Sequence, residues 1–183
     1  GKTTASAMEA TYIASQPNKK IWLVGLSYDK ADLMFREVWQ KMVIGRANDI
    51  ERASEKERYI KFKWGTTIEG KSADNPDSLV GEGLDLLIID EAAKVKKRIW
   101  DMYLSPTLSD RKGKAIFITT PEGYNWIYKL FLLGKTDSLW ESHQEPSWNN
   151  QYAFPDGKKD SFLIERKRNM SKELYEQEYA AKF

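Results

Sequence analysis

Two adjacent carboxylates, Asp90 and Glu91, directly follow the apolar run LDLLII at residues 84–89. Such a run predicts a strand buried on both faces of a parallel sheet. Ligands of these sheets bind at the carboxyl ends of the strands, where both acids would lie. One carboxylate there can hold Mg²⁺, and a second can orient and deprotonate an attacking water. The pair predicts metal-assisted phosphate hydrolysis, with Asp90 as metal ligand and Glu91 as catalytic base. The alternative is that Asp90 only caps a helix beginning near Ala92.

The chain opens with Gly1-Lys2-Thr3-Thr4, which leads straight into a helical pattern. These residues match the end of a phosphate-binding loop, G-x-x-x-x-G-K-[ST]. The N–H groups and positive dipole end of a helix N-terminus attract phosphate, and glycine lets the backbone approach. We therefore predict that all four residues bind nucleotide, that Lys2 also acts in catalysis on the β- and γ-phosphates, and that Thr3 shares the metal with Asp90. The alternative is a lysine in the first turn of an ordinary helix.

A second polar strand end is Thr119-Thr120, followed by Pro121. Hydroxyl groups at a strand end beside a nucleotide can sense whether the γ-phosphate is present, so the two threonines are candidate sensors. The alternative is a simple turn that ends the strand.

Strands and helices alternate around these motifs, which predicts an α/β fold with a mainly parallel sheet flanked by helices. Buried strands are predicted at residues 21–24, 84–90 and 114–120, and a hairpin at 59–73 with its turn at Gly65-Thr66. Helices are predicted at residues 3–16, 29–42, 95–104, 125–134, 161–170 and 171–183. Residues 48–58 are polar and are expected to form an exposed connection.

The apolar spacing indicates which helix faces meet the core. In the first helix, Met8 and Tyr12 lie four residues apart, with Ile13 beside them. In the second helix, which Asp29 is expected to cap, the core-facing residues are Met34, Phe35, Val38, Trp39 and Met42.

Composition excludes several classes of site. The 183 residues contain no cysteine, so disulfides and thiolate metal sites are absent. No apolar run has the length of a membrane-spanning helix. The formal net charge is only +2, so contacts with nucleic acid must come from local patches. Basic clusters occur at Lys94, Lys96, Lys97 and Arg98, at Arg111, Lys112 and Lys114, and at Arg166, Lys167 and Arg168. Each cluster is either a solvated surface or a site that binds nucleic-acid phosphates without recognising the base sequence. The single histidine, His143, has no second metal ligand near it in sequence.

Four stretches together resemble the ATPase domain of the large subunit of tailed-bacteriophage terminases. They are GKTT, SADNPDSLVGEGLDLLIIDEAA, FITTPEGYNWIYKLF and the terminal SKELYEQEYAAKF. The TTPEGYNW stretch and the EQEYAAKF ending are the most specific of them. The resemblance implies a P-loop NTPase fold of the ASCE, RecA-like type, with a small C-terminal linker subdomain. It places the ATPase core at residues 1–140, without its first strand and the first half of the phosphate loop. Residues 141–183 would form the linker towards an absent nuclease domain.

The resemblance also implies that Thr119 and Thr120 couple hydrolysis to movement, and it implies a function and a set of partners. The motor would hydrolyse ATP with Mg²⁺ and drive double-stranded DNA into a procapsid, and the full-length protein would also be an endonuclease. Expected partners are the DNA, the terminase small subunit and the portal of the procapsid. The protein would form a homo-oligomeric ring when assembled and would be a monomer in isolation. It would act in the host cytoplasm and transiently at the portal, and no membrane would be involved. A helicase- or translocase-type ATPase and an inactive assembly module are the alternatives.

Two positions depart from the family pattern. Val80 stands where the family often has an arginine, and Asn150 lies where it often has Asn-Pro. An arginine commonly stabilises the charge that builds on a transferring phosphoryl group, and Val80 cannot do this. The candidate sources are the stretch before Gly1, then Arg98, then Arg111, which should lie at the opposite edge of the sheet.

Overall fold

A computed structural model describes all of residues 1–183. The strands are β1 (Lys20–Gly25), β2 (Ile50–Ser54), β3 (Tyr59–Phe62), β4 (Thr67–Ser72), β5 (Leu86–Asp90) and β6 (Lys114–Ile118). The helices are α1 (Lys2–Ala14), α2 (Tyr28–Trp39), α3 (Lys97–Ile99), α4 (Trp126–Leu133), α5 (Ser161–Asn169) and α6 (Lys172–Glu178). The chain divides into two compact units, Gly1–Thr119 and Thr120–Phe183. This boundary lies earlier than the functional division expected between residues 140 and 141, which stays a prediction. None of the helices combines the length and the apolarity needed to cross a bilayer.

All six strands belong to one sheet in the first unit, in the order β2-β3-β4-β1-β5-β6. β4, β1, β5 and β6 are parallel, whereas β2 and β3 pair antiparallel. Because the parallel strands share a direction, Gly25, Ser72, Asp90 and Ile118 end them at one edge of the sheet. The prediction of a mainly parallel α/β sheet is confirmed.

The central strands β1 and β5 are buried on both faces over most of their length, which is why their sequences are almost wholly apolar. Residues Ile21 to Gly25 of β1 and Leu86 to Ile89 of β5 are all buried. β6 lies at the end of the sheet and is less covered, and within it only Ile118 is buried. An unbroken apolar run therefore identified the centre of the sheet correctly but overstated the burial of its edge.

The predicted apolar face of α1 is wrong for Met8 and Tyr12, whereas Ile13 is half-buried and packs against the core. Met8 and Tyr12 are 61% and 66% exposed, and α1 buries Ala7, Ala10 and Ala14 instead. Small side chains let the helix lie close to its neighbours, so the large residues on the other face stay in solvent. In α2 the prediction holds for Met34, Phe35 and Val38, and Met42, just beyond the helix, is also buried.

Two local predictions need correction. Ser27, rather than Asp29, occupies the N-cap position of α2, and Asp29 lies in the first turn. Residues 48–58 are not only a connection, because they contain β2. Charged pairs across the β2–β3 ladder replace apolar alternation: Lys61 Nζ lies 2.7 Å from Glu51 Oε1, and the Arg52 guanidinium covers the Tyr59 ring. A polar strand of this kind lacks the apolar period on which the prediction relied.

The second unit contains α4, α5 and α6, each with a side-chain N-cap. Asn125 Oδ1 accepts from the N–H of Ile127, Asp160 Oδ1 from that of Phe162, and Ser171 Oγ from that of Leu174. These residue types satisfy the unpaired N–H groups of a first helical turn. The rings of Tyr128 and Phe131 in α4 pack against Phe183 at centroid distances of 5.0 and 5.1 Å.

Candidate active site

The N-terminus of α1 lies at the carboxyl ends of β5 and β6. Lys2 Nζ donates a hydrogen bond to the Thr119 carbonyl oxygen at 3.0 Å. The Thr3 hydroxyl lies 3.5 Å from Asp90 Oδ2, the upper limit for a hydrogen bond. The first unit thus brings together the first turn of α1 and two strand ends that are far apart in sequence. Gly1 is the exposed N-cap residue of α1, and Thr4 is half-buried within it.

Asp90 is a half-buried carboxylate beside a cation and two donors. Its Oδ1 accepts a hydrogen bond from the Glu91 N–H at 3.0 Å. Burial raises the pKa of Asp90 above its ordinary value, and the Glu91 charge adds to this, while the Glu91 N–H, Lys2 and Thr3 offset part of the effect. Burial and the neighbouring carboxylate both disfavour its negative charge, so a cation bound here would be strongly attracted.

Glu91 has a left-handed backbone, with φ 51° and ψ 42°. It occupies the N-cap position of a short 3₁₀ turn, Ala92–Lys94, so Asp90 does not cap that turn. The Lys94 N–H donates to the Glu91 carbonyl at 2.9 Å, and Lys94 Nζ lies 3.6 Å from Glu91 Oε2. The chain therefore bends sharply immediately after Asp90. Sequence reasoning missed both this bend and the role of Lys94 as the counter-charge of Glu91, because Glu is not a residue that favours positive φ.

Thr119 joins the two strand ends. Its Oγ1 accepts a hydrogen bond from the Ala93 N–H at 3.2 Å, so it holds the turn that follows Glu91. Its carbonyl holds Lys2, as described above. Thr120 begins the second unit, so the boundary between the units falls within the predicted Thr119-Thr120 pair. That these two residues couple hydrolysis to movement stays a prediction.

The candidate arginines lie apart from the two carboxylates in different ways. Arg111 pairs with Asp85, which precedes β5, at 2.9 Å and thus lies near the amino ends of the strands, as expected. Arg98 is exposed in α3, and its Nε lies 3.1 Å from Met102 Sδ. Val80 is 56% exposed.

The remaining singled-out residues lie in the second unit. The carbonyl of Asn150 accepts the N–H groups of Ala153 and Phe154 in a local turn. His143 is well exposed, and its Nε2 lies 2.9 Å from Glu141 Oε1. Both contacts are local.

Two hollows lie in the first unit, and sequence reasoning found neither. A cavity of about 160 Å³ is lined by residues after β1, β4 and β5, among them Leu26, Asp74, Lys94 and Lys96, and so adjoins the carboxyl edge. A larger polar groove of about 460 Å³ lies between α2 and the β2–β3 turn, bounded by the ion pair of Arg58 with Asp32. The larger hollow is the less relevant one, because the two carboxylates lie elsewhere.

The oxygen donors present fit Mg²⁺ incompletely on their own. No group of three or more His, Cys, Asp or Glu side chains gathers anywhere in residues 1–183. Mg²⁺ bound for phosphoryl transfer usually takes one or two protein oxygens, with substrate phosphates and waters supplying the rest. Asp90 and Thr3 match that pattern, since a carboxylate and a hydroxyl lie side by side at the start of a helix.

Comparison with known proteins identifies relatives along the whole chain. Residues 1–183 match the family model for the terminase large subunit, T4likevirus-type, N-terminal. The terminase large subunit of Thermus virus P23-45 is 30% identical over 211 aligned residues, which cover 100% of this chain and 44% of that protein. The chain thus spans less than half the length of this curated relative.

Solved structures agree with the family match. The large terminase ATPase domain of Thermus phage P74-26 has a TM-score of 0.86 at 29% identity, covering 100% of this chain and 84% of that one. The large terminase of another thermophilic bacteriophage, in complex with ADP, has a TM-score of 0.70 at 14% identity, covering 98% and 44%. The latter likeness supports the fold alone, and together they confirm the predicted P-loop NTPase fold. The chain therefore belongs to the terminase large-subunit family, whose N-terminal region it matches.

Proposed function

We propose that this chain is the ATPase motor domain of a viral terminase large subunit, which hydrolyses ATP to drive double-stranded DNA into a procapsid. The observation that carries the proposal is the meeting of Lys2, Thr3 and Asp90 at the carboxyl ends of β5 and β6. One edge of the sheet therefore carries a helix N-terminus, a lysine and a carboxylate. These are groups that bind a nucleoside triphosphate and its metal ion. The likeness to a large terminase ATPase domain that is 29% identical supports the same proposal.

Each residue has a distinct role in this proposal. The N–H groups at the start of α1, from Gly1 to Thr4, bind phosphate oxygens, and Lys2 neutralises the charge that builds on the transferring group. Asp90 and Thr3 would hold Mg²⁺, which supplies charge neutralisation at the β- and γ-phosphates. Glu91 orients the attacking water and accepts its proton.

The nucleotide state can reach Thr119 through one hydrogen bond. Lys2 Nζ, which here donates to the Thr119 carbonyl, is the group that we assign to the phosphates. A lysine that turns to a γ-phosphate weakens its bond to Thr119, directly before the second unit begins at Thr120. We propose that this exchange is the first step by which hydrolysis is coupled to DNA movement.

The partners and setting of the motor follow from the family and belong to the same proposal. They are double-stranded DNA, the terminase small subunit, the portal of the procapsid and further copies of this subunit in a ring. The motor would act in the host cytoplasm and transiently at the portal, and would not remain in the mature virion. A metal-dependent nuclease domain would belong to the same full-length protein.

The test replaces the proposed base. Glu91→Gln in the full-length protein should bind ATP as the parent does and lower turnover by roughly 10²–10⁴-fold, because the general base is lost. Glu57→Gln, on the turn between β2 and β3, makes the same chemical change away from the site and should leave turnover unchanged. Equal turnover in Glu91→Gln and the parent would remove Glu91 from the mechanism. Hydrolysis that never supports DNA uptake by procapsids would favour another P-loop ATPase.

A further inference from the structure

Five cationic side chains lie at the two ends of α5 in the second unit. They are Lys158 and Lys159 in the 3₁₀ turn before the helix, and Arg166, Lys167 and Arg168 in its last turn. We call these five residues the α5 basic surface. All five are exposed, and α5 buries only Leu163. The surface therefore offers its charges to solvent or to a partner.

These cations differ from most of those in the first unit in forming no ion pair. Across residues 1–183, Lys20, Lys61 and Lys97, among others, form ion pairs, whereas none of the five does. Residues 157–168 hold these five cations and only two acids, Asp160 and Glu165. Asp160 uses its carboxylate to cap α5, at 3.0 Å from the Phe162 nitrogen. Lys167 helps to lower the pKa of Glu176 in α6, so the local excess of positive charge is only partly offset within the chain.

Aromatic rings support two of the cations. Lys158 Nζ lies 4.8 Å from the centre of the Trp148 ring, and the Arg166 guanidinium lies 4.8 Å from that of Phe162. A ring face orients a cation without cancelling its charge. Arg166 also covers part of Phe162, which is 41% exposed.

The spacing of the charges suits a polyanion. Ser161, which begins α5, and Arg166 in its last turn are five residues apart, which corresponds to about 7.5 Å along the helix, and Lys159 lies just before that start. That span equals about two base-pair steps on one DNA strand. Lysine and arginine side chains that project into solvent can bind backbone phosphates in any sequence.

We propose that the α5 basic surface binds the backbone phosphates of duplex DNA during translocation. The inference rests on the proposed function, since it names the part of the chain that holds the DNA of a packaging motor. Binding through phosphates alone suits a motor that must move along every sequence.

The test measures the salt dependence of duplex binding by the full-length protein. A fluorescent 30-base-pair duplex is titrated at several NaCl concentrations with the parent and with the triple variant Arg166→Gln, Lys167→Gln, Arg168→Gln. A plot of log K, where K is the association constant, against log [NaCl] has a negative slope. Each lost phosphate contact makes that slope less steep by about 0.9, so losing three contacts makes it less steep by about 2.7. At 0.1 M NaCl the same change weakens binding by on the order of 10²–10³-fold.

Two further variants separate DNA binding from other effects of charge. Basic residues in the last turn stabilise a helix, so the triple variant also removes a stabilising charge. The double variant Lys158→Gln, Lys159→Gln tests the surface outside that turn and should make the slope less steep by about 1.8. The matched control replaces three lysines that are paired with acids in the first unit, Lys41, Lys61 and Lys97, with Gln. This control changes the net charge by the same amount as the triple α5 variant and should keep the slope of the parent.

Each outcome decides the inference. A parent-like slope in both α5 variants, or an equal fall in the control, overturns it. Normal duplex binding with lost attachment to procapsids would assign the surface to a protein partner instead, and also overturns it. Basal ATP hydrolysis, measured without DNA, should stay unchanged in every variant. A parent that binds duplex through this surface but hydrolyses no ATP would support the inference while refuting the proposed function.

Discussion

Asp85, one residue before β5, joins the starts of three strands and offers a sharp test of how the first unit is held together. Its Oδ1 lies 3.1 Å from Lys19 Nζ, and its Oδ2 accepts the Lys20 N–H at 2.9 Å and Arg111 Nη1 at 2.9 Å. Its carbonyl also accepts the Lys114 N–H at 3.0 Å. Replacing Asp85 with Asn removes the charge and leaves the backbone hydrogen bonds in place.

The expected loss follows from the exposure of the partners. The Asp85 side chain is only 13% exposed, but Lys19 and Arg111 are 31% and 36% exposed and can turn to water. A hydrogen bond to a charged group contributes about 1.5–3 kcal/mol, and exposed ion pairs contribute less than about 1 kcal/mol. We therefore expect Asp85→Asn to lower the free energy of unfolding by about 2 kcal/mol at pH 7.

Acidity should abolish this difference. Burial by itself would raise the pKa of Asp85, but the Lys20 N–H, Lys19 and Arg111 outweigh it and hold the pKa below the ordinary value of 3.8. A carboxyl with a lowered native pKa stabilises the fold fully above the unfolded-state pKa, and the effect is lost as pH falls through the native pKa. The parent and Asp85→Asn should therefore converge only below pH 3.8.

Urea unfolding followed by tryptophan fluorescence measures the effect. With a urea slope of about 1–3 kcal/mol per molar, the midpoint of the first unit should fall by about 1 M. Glu82→Gln is the control, because Glu82 also pairs with a cation, Lys20, but is 40% exposed. A loss in Asp85→Asn no larger than in this control, or one that persists unchanged at low pH, would refute the reasoning.

Three further changes test the site and its support. Lys94→Ala should lower ATP turnover by at most about fivefold, because the ion pair between Lys94 and Glu91 is exposed and its N–O distance is 3.6 Å. Lys94→Arg should restore turnover, and a larger loss in Lys94→Ala would mean that Lys94 contacts substrate. Gly113→Ala should destabilise the fold by about 1–3 kcal/mol in thermal unfolding, because its Cβ would lie 2.1 Å from the Leu84 carbonyl oxygen, whereas Gly83→Ala meets only ordinary contacts and should be mild. Thr120→Ala should reduce DNA packaging more than ATP binding, and an equal fall in packaging and hydrolysis would count against coupling.

The sequence predicted those parts of the fold that depend on burial along one segment. β1 and β5 were found because strands buried on both faces leave an unbroken apolar run. The turn at Gly65 was found because glycine there adopts φ +84° between antiparallel strands. Contacts between distant segments left no such pattern. β2 pairs with β3 through a ladder that carries charged pairs rather than an apolar alternation. α1 packs against the core through alanines rather than through Met8 and Tyr12.

The candidate site divides in the same way. Asp90 was placed at a strand end by local pattern, and its approach to Thr3 followed from the rule for parallel sheets. The bond between Thr119 and the Ala93 N–H depends on the register of two strands and could not be read from either one. The same is true of Asp85, whose partners come from the starts of β1 and β6 and are recognisable only in three dimensions.

The left-handed backbone of Glu91 sets activity against stability at a single position. A residue other than glycine in this conformation is strained by about 1–2 kcal/mol, a noticeable part of the small stability of a domain. Glycine at position 91 would relieve that strain and remove the proposed base together. Selection for a more robust domain alone would therefore favour loss of the glutamate, and selection for the proposed hydrolysis would hold it in place.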